Sequence, residues 1–355
     1  MDIKNRENNI HRIDLPRIVQ VGIGTLNSLG LITRELGYQS ALIVTGKTTY
    51  NIAGKRSQRI LREEGVETDY TIVKDATMKT VHQVNDKINE LESDVILGIG
   101  GGRNIDVAKL SASRTSKHFI SIPTVASHDG IASSLASIKD SERPYSLKAK
   151  TPIAVILDSW IIAESPYRFT ASGCGDIISK IVEVEDWKLS YREKKDYYGA
   201  YAGSLSLMSS KLVMDHAEEI RKRTDDGIRT LLEALISCGV AMSIAGSSRP
   251  CSGSSHLFSH SLDLLADEAA LHGEQCGVGA IMMAKLHELD WKLIRSKLKI
   301  LNAPTSAEDL GIEKKVLVEA LVNAVKIRPE RYTVLNKFNL DFIKAQKLAE
   351  QTYVI

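Results

Sequence analysis

Val95-Ile96-Leu97-Gly98-Ile99-Gly100-Gly101-Gly102-Arg103-Asn104-Ile105-Asp106-Val107-Ala108-Lys109 is the stretch on which the fold turns. It opens as a short apolar run rich in β-formers, passes through three successive glycines, and continues with apolar residues at helical spacing. Glycines at such a strand-to-helix passage let the main chain approach a pyrophosphate closely, and the N–H groups that open the helix hold its negative charge. Three glycines in a row exceed what a tight turn requires, so the segment reads as a dinucleotide cradle. Two similar-looking sites fail the same test. Gly46-Lys47-Thr48 lacks the first glycine of a P-loop, because position 41 is Ala41, and Gly22-Ile23-Gly24 lacks the third glycine of the G-x-G-x-x-G fingerprint, because position 27 is Asn27.

The same texture extends to either side. Arg17 to Gly22, Ala41 to Thr45, Asp69 to Val73, Asp94 to Ile99, Phe119 to Pro123 and Ile153 to Leu157 read as strands, and Arg56 to Glu64 and Val81 to Leu91 as amphipathic helices between them. Such alternation predicts a Rossmann-like, mostly parallel sheet covered by helices. Beyond about Ser165 the texture turns helical: Tyr201 to Arg221, Arg229 to Ile244, Cys276 to Leu289 and Leu340 to Gln351 are the clearest segments. Arg221 to Asp226 and Asn302 to Gly311 read as loops. The expected class is therefore α/β plus all-α, with a dinucleotide-binding domain at 1–163, a helical domain at 164–355, and chemistry in the cleft between them.

Length and composition agree. A chain of 355 residues exceeds what one core usually serves, and 43% apolar with 25% charged residues is an ordinary globular mixture. Forty-six Lys and Arg against 44 Asp and Glu is too balanced for a nucleic-acid partner. Met1 to Pro16 has no apolar run of a signal peptide, and Leu231 to Gly246, interrupted by Glu233, reads as a buried helix rather than a membrane insertion. Cys174, Cys238, Cys251 and Cys276 form no C-x-x-C pair and read as small apolar fillers in a reducing cytoplasm.

Two further clusters carry chemistry. Pro123-Thr124-Val125-Ala126-Ser127-His128-Asp129-Gly130-Ile131-Ala132-Ser133-Ser134 follows a strand and offers hydroxyls and a carboxylate suited to a ribose, a carboxamide or a small polyol, although Ser127 or Asp129 could equally cap a helix. Gly175-Asp176 reads as the opening of a helix. Ser255-His256-Leu257-Phe258-Ser259-His260 puts two histidines on one helix face, and Leu271-His272-Gly273-Glu274-Gln275 adds a third. One Asp with two of these histidines meets the need of a catalytic zinc, which takes three protein ligands and keeps a position open.

With these residues in hand, the sequence resembles the sn-glycerol-1-phosphate dehydrogenase family, within the wider dehydroquinate synthase-like and iron-containing alcohol dehydrogenase group. The resemblance covers nearly the whole chain. G-G-G-x-x-I-D-x-A-K is shared across that group; P-T-x-x-S-H-D-G-I-x-S, Ser172-Gly173-Cys174-Gly175-Asp176 leading to Asp186-Trp187, the Ser252 to His256 run, His272 to Gln275 and Ile327-Arg328-Pro329-Glu330-Arg331-Tyr332-Thr333 are narrower.

The resemblance implies that Gly102, Arg103, Asn104, Ile105, Asp106, Thr124, Val125, Ala126, Ser127 and Ser133 contact NAD(P)H. It also implies that Asp129, Asp176 and His260 contact the substrate, and that Asp176, His256 and His272 hold one Zn2+ per subunit. Lys180 and Ser134 depart from the family pattern, which has Asn and Pro there. The implied reaction is reversible reduction of dihydroxyacetone phosphate to sn-glycerol 1-phosphate, the glycerophosphate backbone of archaeal membrane lipids, in a cytoplasmic homo-oligomer. His260 is an expected proton relay, and Lys180, Arg331 and His128 are candidate cations for the substrate phosphate. A glycerol or alcohol dehydrogenase of the same architecture, a dehydroquinate synthase-like lyase and a non-catalytic sensor are the rival readings. The turn Thr45-Gly46-Lys47-Thr48 carries no acid to repel a 2′-phosphate, so NADPH is expected to be accepted.

Overall fold

Six parallel strands form the sheet that the apolar runs predict, in the order β1-β8-β5-β4-β2-β3. They are β1 (Ile18–Gly22), β2 (Ser40–Thr45), β3 (Glu67–Ile72), β4 (Val95–Gly100), β5 (His118–Pro123) and β8 (Ala154–Asp158). The structure is a computed structural model that describes residues 13–139, 144–266, 268 and 270–355. The reading of Met1 to Pro16 therefore falls, for residues 1–12, outside the described residues.

Continuous apolar strands demand cover on both faces, and the sheet has it. Ala41, Ile43, Leu97, Ile99, Ile120 and Ile122 pack on one side, while Leu42, Val44, Ile96 and Phe119 pack on the other. Each such side chain contributes about 1.5–3 kcal/mol by leaving water. At β8 the alternation joins the two halves of the molecule. Ala154 and Ile156 face the sheet-side core, whereas Val155 and Leu157 belong to the helical core with Ile177, Trp187, Leu231, Phe258 and Ile281.

Between β5 and β8 lies an antiparallel hairpin that the sequence reading did not anticipate, β6 (Leu135–Lys139) and β7 (Pro144–Lys148). Its anchor comes from the helix Gly102–Arg114. Buried Lys109 Nζ donates to the carbonyls of Gly130 and Leu135 at 2.6 Å each, and Asp106 Oδ2 accepts from Ser137 N–H at 3.1 Å. The Asp and Lys of the glycine-run signature thus secure the loop that follows β5.

From Ser159 onward the described residues contain no strand. The helix Asp225–Ala245, capped by Thr224 and ended by Gly246 at φ 63°, has the length and apolarity of a membrane span, yet Leu231, Leu232, Leu235 and Met242 are buried in the helical core. The expected helix Tyr201 to Arg221 is divided into Ala200–Asp215 and Ala217–Arg221, and the loop expected at Asn302 to Gly311 contains the short helix Ala307–Leu310.

A larger correction concerns Gly175-Asp176. It opens no helix: it lies inside the helix Tyr167–Lys194, 28 residues long. Glycine weakens a helix by about 1 kcal/mol relative to alanine, and close packing offsets that cost here. A Cβ at Gly173 would meet the carbonyl of Ala126, and one at Gly175 the carbonyl of Gly273.

Candidate active site

The carboxyl ends of β4 and β5 and the near end of the helix Tyr167–Lys194 converge on one place. Gly100 ends β4 at φ 140°, a conformation that L side chains rarely adopt, and its missing Cβ leaves room for the Asn104 amide. Asn104 then donates to Ile99 O at 3.2 Å and to Thr49 Oγ1 at 3.1 Å, which fixes the turn. Asn104 and Ile105 N–H bond back to Gly101 O, so the leading amides of the helix are those of Gly102 and Arg103. The helix is 13 residues long, and its N-terminus follows the glycine run directly, an end whose free amides suit an anion.

The other proposed cofactor residues divide by surroundings. Thr124 N–H bonds to Gly100 O at 3.1 Å, which holds Thr124, Val125, Ala126 and Ser127 beside the glycine run. Ile105 is in the sheet core, and the Asp106 carboxylate is committed to Ser137 and Lys109. Ser133 is buried and exchanges hydrogen bonds with Leu135 in its own turn. His128 accepts from Gly130 N–H through Nδ1 at 2.9 Å, and its ring lies against Gly102.

The metal triad assembles from three helices. Asp176 comes from Tyr167–Lys194, His256 from Ser254–Leu265, and His272 opens His272–Leu286. Asp176 Oδ1 is 3.5 Å from His256 Nε2, and the two histidine rings meet edge to face at 4.9 Å. One ligand-capable atom from each of Asp176, His256, His272 and Cys276 lies within 4.8 Å of the others. His260, one turn beyond His256, stacks on His272 with ring centroids 5.7 Å apart. Cys276, read from sequence as an apolar filler, is correspondingly placed among the donors, with Sγ 3.5 Å from His272 Nε2.

Hydrogen bonds behind the histidines test whether this set suits a metal. His256 Nδ1 lies 2.8 Å from Glu183 Oε1, a carboxylate that only accepts, so Nδ1 donates there and Nε2 is the nitrogen left for a ligand. For His272 the partner is Ser259. Gln275 Nε2 donates to Asp263 Oδ1 and Ala270 O, which turns its Oε1 toward the Ser259 hydroxyl at 2.5 Å. Ser259 spends its proton there and accepts from His272 Nδ1 at 3.0 Å, leaving the His272 Nε2 lone pair free as well. Both imidazoles thus keep Nε2 for a ligand beside the Asp176 carboxylate, the donor set of a divalent zinc-type site. Burial pushes His272 down to about 3, so it is neutral, as a ligand must be.

Glu183, Ser259 and Gln275 were not singled out in the sequence. Glu183 had a signal: Asp176, Lys180 and Glu183 fall at i, i+4 and i+7, on one helix face.

Lys180 is displaced from the role considered for it. Its side chain is fully buried, with Nζ 2.5 Å from Asp176 Oδ1, 2.9 Å from Asp129 Oδ2 and 3.0 Å from Cys251 O. The contact with Asp129 is an ion pair without hydrogen-bond alignment. Burial works against the ammonium, but Asp129 and Asp176 outweigh it and hold Lys180 well above the usual lysine range. Its charge is spent on two carboxylates, so it is no phosphate cation. Asp176 Oδ2 in turn accepts from Asp129 N–H at 2.9 Å, which joins the loop after β5 to the metal triad. Arg331 directs its guanidinium to Ser252 O at 2.6 Å and Ser248 Oγ at 2.8 Å.

Comparison with known proteins gives the fold and the family. A family model described as iron-containing alcohol dehydrogenase matches residues 20–166. Among solved structures, a glycerol dehydrogenase from Schizosaccharomyces pombe has TM-score 0.80 at 19% identity, covering 98% of this chain and 94% of that one. A probable glycerol dehydrogenase from Sinorhizobium meliloti has TM-score 0.78 at 19% identity, covering 96% and 98%. At that identity the likeness shows the fold alone.

Curated relatives are far more similar. The NAD(P)+ glycerol-1-phosphate dehydrogenase of Methanosarcina mazei is 49% identical over 100% of both chains. That of Thermococcus kodakarensis is 48% identical over 98% of this chain and 100% of its own. With identity near one half along its whole length, the chain belongs to the glycerol-1-phosphate dehydrogenase family.

Proposed function

We propose that this protein is an NAD(P)H-dependent oxidoreductase that reduces dihydroxyacetone phosphate reversibly to sn-glycerol 1-phosphate. The observation that carries the reading is the cluster of Asp176, His256 and His272, with Glu183 and Ser259 behind the two Nδ1 atoms, together with a glycine-run helix N-terminus. We place the division between the two halves near residue 163, with the reaction at their junction. Family membership favours this reading over a glycerol or alcohol dehydrogenase.

Asp176, His256 and His272 would hold a divalent zinc, and Gly102 to Asn104 with Thr124 to Ser127 the dinucleotide. When bound, these groups supply Lewis-acid polarisation of the carbonyl and the hydride. The chain's own residues do the rest. Glu183 and Ser259 hold both Nδ1 atoms, so the Nε2 atoms are the ones presented to the metal. Lys180 neutralises Asp129 and Asp176 from behind and holds the Asp129 carboxylate at the cleft to orient the substrate hydroxyl.

His260 Nδ1 is buried without a hydrogen-bond partner among the described residues, and Asp263 Oδ2 stands 3.9 Å away. Burial lowers its pKa, so the ring is neutral at pH 7 and can relay a proton, taking one from water at one nitrogen as the other gives one to the product oxygen. The product is a precursor for the archaeal glycerophosphate backbone, made in the cytoplasm by a homo-oligomer.

Oxidation of NADPH and NADH with dihydroxyacetone phosphate, with and without chelator, tests the reading. Stoichiometric turnover that chelation abolishes, with sn-glycerol 1-phosphate as product, is the expected result. Equal turnover of dihydroxyacetone, or turnover indifferent to chelator, would overturn it.

A further inference from the structure

A phosphomonoester entering this cleft needs a cation with unspent charge, and the charged groups around the site leave one. Lys180 is committed to Asp129 and Asp176. Arg249 is paired with Asp196 at 2.9 Å and also donates to Tyr332 O at 3.0 Å. Arg331 is tied to Ser252 and Ser248, and His128 to Gly130. Among the described residues, the Arg328 guanidinium alone in this group has neither a hydrogen bond nor an ion pair.

Geometry places the turn that carries Arg328 beside the helix of His256 and His260. The short turn Ala324–Lys326 packs on the helix Ser254–Leu265, which carries His256 and His260. Arg331 N–H then bonds back to Arg328 O at 2.9 Å, closing a turn over Ile327 to Arg331. The Arg331 guanidinium fastens that turn to Ser248 and Ser252, immediately before the His256 helix. Arg328 is thereby held half-buried, and its positive charge bears on the His260 ring.

The surroundings are short of negative charge. Burial and the neighbouring guanidiniums of Arg328 and Arg249 pull Arg331 down to about 9. The acid that counters Arg328 is Glu330, which is exposed. Two partly desolvated guanidiniums that form no ion pair among the described residues are costly, and an anion relieves the cost. A guanidinium's planar fork matches two phosphate oxygens, whereas an ammonium offers a point charge.

We propose that Arg328 is the residue that binds the substrate phosphate, with Arg331 as the positioning residue that fastens its turn beside His260. The site would accept a phosphomonoester dianion or inorganic phosphate. It would thereby set the preference for a phosphorylated over an unphosphorylated three-carbon ketone. The inference deepens the proposed function and rests on it.

The test compares kcat/KM for dihydroxyacetone phosphate and for dihydroxyacetone in the wild type, Arg328→Gln and Arg328→Lys, all metal-loaded. Inorganic phosphate serves as a competitive inhibitor in each. The wild-type preference for the phosphorylated ketone should fall by roughly 10- to 100-fold in Arg328→Gln, mostly through KM, with a parallel loss of phosphate inhibition. Arg328→Lys should recover part of both.

Unchanged preference and inhibition in a folded Arg328→Gln that still binds NADPH would overturn the proposal. So would the same loss appearing only in Arg331→Lys. If Arg328→Gln fails to fold, Arg328→Lys decides alone: a weakened phosphate inhibition constant supports the proposal, and an unchanged one overturns it. Absence of dihydroxyacetone phosphate turnover in the wild type would instead remove the underlying functional reading.

Discussion

The sheet half and the helical half build their shares of the site from different materials. Around Gly100 to Arg103 the binding surface is main chain, exposed because side chains are missing. Around Asp176, His256 and His272 it is side chain, each oriented by another side chain behind it. One surface is spoiled by adding atoms and the other by removing or exchanging them. This difference governs how each can be broken.

The largest effect should come from Asp176→Asn, which removes one ligand charge and leaves Lys180 facing Asp129 alone. Metal retention after gel filtration should be lost and kcat/KM should fall by about 10³-fold or more. A metal-replete, active variant would refute the ligand assignment.

Next is Gly100→Ala on the main-chain surface. It places a methyl group on the Asn104 amide at φ 140°, a strain of about 1–3 kcal/mol. Titration of NADPH fluorescence should show at least tenfold weaker binding with metal content unchanged, separating the two surfaces cleanly.

Glu183→Gln keeps the shape and removes the acceptor charge behind His256. Metal affinity, measured by competition with a chromophoric chelator, should weaken by roughly 10- to 100-fold. A variant with native affinity would show that Nε2 needs no such support. The smallest effect concerns the turn after β2: without an acid at Thr45 to Thr48, KM for NADPH should equal or lie a few-fold below that for NADH. Strict NADH dependence would contradict it.

The two halves also differed in how far they could be read from sequence. The four inner strands announced themselves as apolar runs, because a strand buried on both faces has no choice of composition, and the edge strands β1 and β3 were found by their place in the alternation. The β6–β7 hairpin escaped, since its hold on the domain comes from Lys109 and Asp106, distant in sequence.

In the helical half the histidine spacing was legible, but the continuity of the helix through Gly173 and Gly175 was not. Glycine suggests a break locally, and only the carbonyls of Ala126 and Gly273, brought close by folding, explain it. Cys276, Glu183 and Ser259 were missed for a related reason. Their meaning lies in what faces them across a helix interface, which no local pattern encodes.

The hydrogen bond from Asp129 N–H to Asp176 Oδ2 has a thermodynamic consequence. One carboxylate serves the metal triad with one oxygen and the nucleotide-side loop with the other. Occupancy of either half therefore biases the conformation that the other requires. By reciprocity, whatever factor the dinucleotide applies to metal affinity, the metal must apply to dinucleotide affinity. Loading of this protein would then be a two-ligand equilibrium with a shared coupling energy, passed through the Asp129 amide and the Lys180 bridge between Asp129 and Asp176.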